Sequence, residues 1–201
     1  MFLNEKFVLA SSSPRRKELL SLIASDVAVL TAPFEEVIDF SKSPHENTEI
    51  LAFGKAAACF TEHKDVIEEN SVLIASDTVV CLGSEILGKP KDVDDAVRIL
   101  KRLSGKTHEV ITGVSLQRVG NNGRGEKVCE VISNFHEITF VTFRVLSDSE
   151  IKTYLETPEP WDKAGSYGVQ GIGGVFVSKI SGNYHNVVGL PLAEIVKILS
   201  S

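Results

Sequence analysis

The sequence predicts an α/β fold around a mixed β-sheet. Apolar β-type segments alternate with amphipathic helical ones in the first half, and two long β-type segments flank a glycine-rich turn in the middle. No repeat, low-complexity stretch or long linker divides the chain. A chain of 201 residues that is 43% hydrophobic can bury one full core, or two small lobes on one sheet. Residues 1–201 are therefore read as a single domain.

The elements follow in order. Residues 7–10 read as a short buried strand, and Pro14 opens a helix to about residue 23, with Leu19, Leu20, Leu22 and Ile23 on its apolar side. Residues 27–31 read as a second strand and residues 33–39 as an acidic loop. Asn47 is the expected cap of a helix ending near His63. Residues 71–82 are rich in Val and Ile and read as a strand, with an interruption at Ser76-Asp77-Thr78. Gly83-Ser84 predicts a turn into a short strand, residues 85–87. Residues 92–103 form an amphipathic helix that Gly105 can close. Residues 107–118 and 128–145 are the long β-type segments. Ser147 and Glu150 make a capping box for a helix to about Leu155. Residues 175–180 read as the last strand, and Pro191 starts the last helix.

Composition excludes several function classes. The net charge of -6 argues against broad nucleic-acid binding by charge alone. Cys59, Cys81 and Cys129 are odd in number and include no CxxC pair, which fits free thiols in a reducing compartment. No signal peptide is read at the N-terminus, and no apolar run approaches the ~18 residues of a membrane span. The expected setting is the cytoplasm, with no membrane partner. Five histidines show no metal-ligand spacing, and GxxxxGK[ST], HExxH and GxSxG motifs are all missing.

Some segments can carry chemistry. In Ser11-Ser12-Ser13-Pro14-Arg15-Arg16 a strand feeds a serine turn, and Ser13 caps a helix that starts at Pro14. Two arginines at the positive end of a helix repel it, and a bound anion reverses that sign. The segment is a phosphate cradle, or else a surface helix start. Asp77 in an apolar strand needs a cation, a metal or good hydrogen bonds if it is buried. Glu35-Glu36 on the acidic loop are solvated carboxylates, or one of them completes an oxygen-ligand site with Asp77. Lys55, Lys89 and Lys163 are surface lysines unless a site collects them. The run Gly165–Gly174 does not fit GxGxxG, but its glycines allow close approach to a ligand. Within it, Gln170 offers a donor and an acceptor for a base edge.

Taken in order, these segments resemble the Maf family of nucleotide pyrophosphatases over nearly the whole chain. The resemblance is carried by Ser11-Ser12-Ser13-Pro14-Arg15-Arg16, Ser76-Asp77-Thr78-Val79-Val80, Gly88-Lys89-Pro90, Leu103-Ser104-Gly105, Thr112-Gly113-Val114, Asp162-Lys163-Ala164-Gly165, Tyr167-Gly168-Val169-Gln170-Gly171 and Val187-Val188-Gly189-Leu190-Pro191. It implies a Maf/ITPase-like two-lobed α/β fold around an elongated mixed sheet with flanking helices. It also implies hydrolysis of a nucleoside triphosphate to monophosphate and pyrophosphate with a divalent cation, Mg2+ or Mn2+. The implied proton acceptor is Asp77, with Glu36, Lys55 and Lys89 as further catalytic groups and Asp77 and Glu36 on the metal. Ser12, Ser13, Arg15, Arg16, Thr78, Lys163 and Gln170 are the implied substrate contacts, and Arg15, Thr78 and Gln170 fall where substrate choice is set. The run 163–174 is similar to the dTTP/UTP branch, against a 7-methyl-GTP or non-canonical purine alternative. A house-cleaning role, a link to division arrest and a homodimer are implied in the same way; a non-catalytic division regulator is the rival. Ser76 stands where the family usually has alanine, adding a hydroxyl beside Asp77.

Overall fold

The structure, a computed structural model, describes residues 3–201. Its elements are β1 (Leu3–Leu9), α1 (Pro14–Ser21), β2 (Ala24–Val29), α2 (Pro44–His63), β3 (Val72–Leu82), β4 (Glu85–Leu87), α3 (Val93–Leu103), β5 (Thr107–Asn122), β6 (Glu126–Phe143), α4 (Asp148–Leu155), β7 (Val177–Ser181), α5 (Tyr184–Val188) and α6 (Leu192–Leu199). Among the described residues, seven strands form one sheet of order β2-β1-β3-β5-β6-β7, with β4 paired to β3. β1 runs parallel to β2 and β3, while the β3–β4 and β6–β7 pairs are antiparallel. The expected mixed α/β class is therefore the observed one.

The chain divides into two compact units. The first holds residues up to Asp77 together with Thr112–His136 and Gly189–Ser201; the second holds Thr78–Ile111 and Glu137–Val188. In the first, Val8, Ala10, Ala56, Cys59, Leu73, Ala75 and Val119 pack as a buried cluster. These side chains come from β1, α2, β3 and β5, so α2 covers the sheet that carries the later residues of the site. The approach is close. A Cβ on Gly113 of β5 would overlap the backbone carbonyl of Thr48 in α2. Gly113→Ala is therefore expected to destabilise by about 3 kcal/mol, because neither backbone can yield cheaply. A thermal melt checks this, and an unchanged midpoint would contradict the contact.

In the second unit, Leu100, Leu103, Phe143, Ile151, Tyr154, Tyr167 and Phe176 form the core. His108 is buried there, its Nε2 2.9 Å from the Tyr167 hydroxyl. Burial lowers its pKa to about 4, so at neutral pH it is an uncharged core residue.

Three local readings change. β3 runs without a break through Ser76-Asp77-Thr78. The cap of α2 is Ser43, with Glu46 completing a capping box. Asn47 lies inside that first turn, buried. Its side chain accepts from Asp39 N at 2.8 Å and donates to the Asp39 carbonyl at 2.9 Å, so it anchors the end of the acidic loop instead. The middle turn is also tighter than expected, since β5 and β6 extend to Asn122 and from Glu126. The predicted caps Ser13 and Ser147 hold as read.

Candidate active site

The first unit assembles an ionic cluster. Asp77 lies on β3, where the apolar strand buries it to 6% exposure. A lone carboxylate in that setting is costly, and its partner comes from α2. Lys55 Nζ donates to Asp77 Oδ1 at 2.6 Å and lies 2.7 Å from Glu36 Oε1. One ammonium thus holds two carboxylates, brought together from a strand, a helix and a loop. Glu36 is half exposed, so the cluster opens to solvent on that side.

The loop reaches Lys55 for a local reason. A Cβ on Gly54 would overlap the Phe34 ring. Glycine there lets the end of the ring approach α2 closely, one residue before Lys55 and two residues from Glu36. Phe34 is thus an anchor for the acidic loop.

The serine turn sits beside the same strand. Ser13 Oγ accepts from Arg16 N at 3.5 Å as the cap of α1. Ser13 N donates to Ser11 Oγ at 3.2 Å, so this N–H is already engaged within the turn. Ser12 is exposed and Arg15 is half-buried. The Arg16 guanidinium donates through Nε to the Gly189 carbonyl at 3.1 Å and through Nη1 to Ser11 Oγ at 3.3 Å. Burial holds its pKa below the ordinary arginine range; Asp77 and Glu36 oppose that effect and Arg15 adds to it. Arg16 therefore feels both carboxylates. Ser76 Oγ, fully buried, donates to the same Gly189 carbonyl at 3.0 Å. The extra hydroxyl expected near Asp77 is used to tie β3 to the chain before α6.

The second unit carries the remaining sequence-predicted residues. Thr78 follows Asp77 on β3 and is half-buried. Gly88 and the turn at 163–166 are joined by a bond from Gly165 N to the Gly88 carbonyl at 3.1 Å, so Lys89 and Lys163 lie on bonded segments. Gly165 has a φ of 71° there, which glycine adopts without strain. Lys163 Nζ donates to the Glu159 carbonyl and to Asp162 Oδ1, both at 2.6 Å. Lys89 and Gln170 are exposed.

Asp77 and Glu36 are the two carboxylates of the cluster that could hold a cation. Among the described residues there is no group of three or more His, Cys, Asp or Glu with metal-holding geometry. Two carboxylates gathered on one positive point still fit magnesium or manganese, which take one or two protein carboxylates and complete their shell with water and phosphate oxygens. The thiols do not compete: burial raises Cys59 and Cys129 to about 11 and Cys81 to about 12.

Sequence reading named Ser11 only as part of the serine turn, and it missed Phe34, Gly189 and Glu159. For Gly189 the signal was its place in Val187-Val188-Gly189-Leu190-Pro191. For Glu159 there was none.

Known proteins align with the chain along almost its whole length. A "dTTP/UTP pyrophosphatase" of Bacillus velezensis is 43% identical over 98% of this chain and 96% of its own. One of Bacillus cytotoxicus is 46% identical over 97% and 94%. One of Clostridium botulinum is 40% identical over 96% and 97%. The family described as Maf-like protein matches residues 6–201, and the chain belongs to that family.

Proposed function

We propose that this protein is a nucleoside triphosphate pyrophosphatase that hydrolyses dTTP and UTP to the monophosphate and pyrophosphate. The observation that carries this reading is the Asp77–Lys55–Glu36 cluster beside Arg16. The names of the relatives support the substrate class. A module that only binds nucleotide needs an anion cradle but does not need Asp77.

Water oxygen bonds to the α-phosphorus, the bond from that phosphorus to the α,β-bridging oxygen breaks, and pyrophosphate leaves. Asp77 accepts the proton of the attacking water and orients it. Lys55 and Arg16 stabilise the charge that grows on the phosphate oxygens, with Lys89 as a further cation. Lys55 is held by two carboxylates, so phosphate competes for an ammonium already in position. Ser12, Arg15 and the Ser13 hydroxyl at the start of α1 add anion contacts. Glu36 and Asp77 would hold a divalent cation, which when bound neutralises triphosphate charge and acidifies water that a carboxylate alone deprotonates weakly. Thr78, Lys163 and Gln170 contact the nucleoside end. We place the enzyme in the cytoplasm on the strength of its free thiols. No helix among the described residues is long and apolar enough to cross a membrane.

The test is pyrophosphate release from a panel of triphosphates with magnesium or manganese. dTTP and UTP should be the better substrates. Gln170→Ala should lower the kcat/KM ratio of dTTP over GTP by roughly tenfold, the value of one or two lost base-edge hydrogen bonds. An unchanged ratio would remove Gln170 from base reading.

A further inference from the structure

Gln170 poses a physical problem for the reading above. It is exposed and lies in a run of glycines at 165, 168, 171, 173 and 174. Such a run loses much backbone entropy on ordering, so a side chain placed on it reads a base only if something fixes the backbone.

The fixing group is Glu159. Its Oε2 accepts from Ile172 N at 2.7 Å, and its Oε1 accepts from Gly173 N at 2.9 Å and from the Tyr154 hydroxyl at 3.0 Å. Tyr154 is itself buried, so the carboxylate is tied to the core of its unit. The glycines match this arrangement. A Cβ on Gly171 would overlap the Glu159 carboxylate, and one on Gly168 would lie 3.0 Å from Oε1. At Gly171, directly after Gln170, glycine is therefore required because the loop is wrapped on a carboxylate; at Gly168 a Cβ would be tight against Lys163 Cε at 2.9 Å as well as against that carboxylate. Burial pushes the Glu159 carboxyl up, but the Gly173 and Ile172 N–H groups, Tyr154 and Lys163 together hold it below the usual carboxylate range. The charged form is the one the loop binds. The Glu159 backbone carbonyl also accepts from Lys163 Nζ.

We infer that Glu159 is a positioning residue for nucleotide selection: its carboxylate pins the loop through the Ile172 and Gly173 amides and so presents Gln170 to the nucleoside. This deepens the proposed function and rests on it. Glu159 itself touches neither substrate nor the reacting atoms in this scheme.

The experiment compares the full-length wild type, Glu159→Gln, Gln170→Ala and the double variant, with dTTP and GTP as substrates. Glutamine keeps the size of the side chain but turns one acceptor into a donor that faces a backbone N–H. Glu159→Gln should lower the dTTP over GTP ratio of kcat/KM by about tenfold, with the loss falling in the KM for dTTP more than in kcat. The Ile172 and Gly173 amides should exchange hydrogen at least about tenfold faster. In the double variant the ratio should fall no further than in Gln170→Ala, because both changes remove one function. If Glu159→Gln does not fold, Glu159→Asp, which shortens the reach, is read in the same way. An unchanged ratio in a folded variant overturns the inference, and so does a full additional fall in the double variant. Failure of the underlying reading looks different: the wild type then releases no pyrophosphate from any triphosphate, and the inference falls with it.

Discussion

Asp77→Asn is expected to abolish pyrophosphate release, lowering kcat/KM for dTTP by at least about a thousandfold, or roughly 4 kcal/mol of transition-state stabilisation. Asparagine has nearly the same volume, so the apolar strand around position 77 stays filled. Its amide carries no charge and accepts no proton from water. It also weakens one of the two carboxylate contacts that would hold a cation. The fold should survive, because Lys55 keeps its second partner, Glu36, at 2.7 Å. A melting midpoint within a few degrees of wild type, together with lost turnover, is the expected pair of results. Near-normal turnover would remove Asp77 from the chemistry.

Lys55→Met is expected to have the largest effect on stability of any change within the site. Lys55 Nζ lies 2.6 Å from Asp77 and 2.7 Å from Glu36, and both Lys55 and Asp77 are largely shielded from water. Removing the ammonium takes away the cation that lies between the two carboxylates and leaves Arg16 as a charge that both still feel. Two like charges about 5 Å apart repel by roughly 3 kcal/mol at an effective dielectric of about 20. Exposure of Glu36 on the solvent side reduces this, so a net loss of about 2 kcal/mol is expected, read as a midpoint lowered by roughly 4–8 °C. Magnesium or manganese should recover much of that loss, since a divalent cation can take the place of the ammonium. The same salt should move the wild type much less. Melts of both proteins with chelator and with added metal make the comparison. An equal shift in both would argue against a cation on Asp77 and Glu36.

The elements themselves were legible in the sequence, because local rules decide them. Ser13 before Pro14, Ser147 before Glu150 and the alternating apolar runs each act within a few residues. Readings failed where the deciding partner is distant. Ser76-Asp77-Thr78 was read as an interruption of β3, although Asp77 was also read as needing a cation, a metal or good hydrogen bonds if buried. The strand continues because Lys55, 22 residues earlier, supplies the charge. Arg16 was read as unfavourable at a helix start unless an anion is bound, and the carbonyl 173 residues away that holds its guanidinium lay outside that local reading. Asn47 was read as a cap by residue type, but the Ser43–Glu46 box precedes it and leaves Asn47 to bind the loop. The short helix α5 was not read at all, since five residues show no periodicity. Glu159, a lone acid between two prolines, looks like a surface residue until the Ile172 and Gly173 amides are found on it.

The site residues named from the sequence came from the order of the motifs more than from any single one. Within the first unit, Glu36, Lys55, Asp77 and Arg16 are mutually related by contact or by charge. No local pattern requires that relation. It arises because Phe34 rests on Gly54 and because α2 lies close on the sheet at Gly113.

The proposed reaction cleaves dTTP and UTP between the α- and β-phosphates. The most direct measurement is the product stoichiometry when purified protein acts on dTTP or UTP with magnesium or manganese, separating monophosphate, diphosphate, pyrophosphate and orthophosphate. The expected result is one pyrophosphate for each nucleoside monophosphate, no nucleoside diphosphate, and loss of turnover with chelator. Release of orthophosphate with accumulation of the diphosphate, or no turnover of any triphosphate, would contradict it.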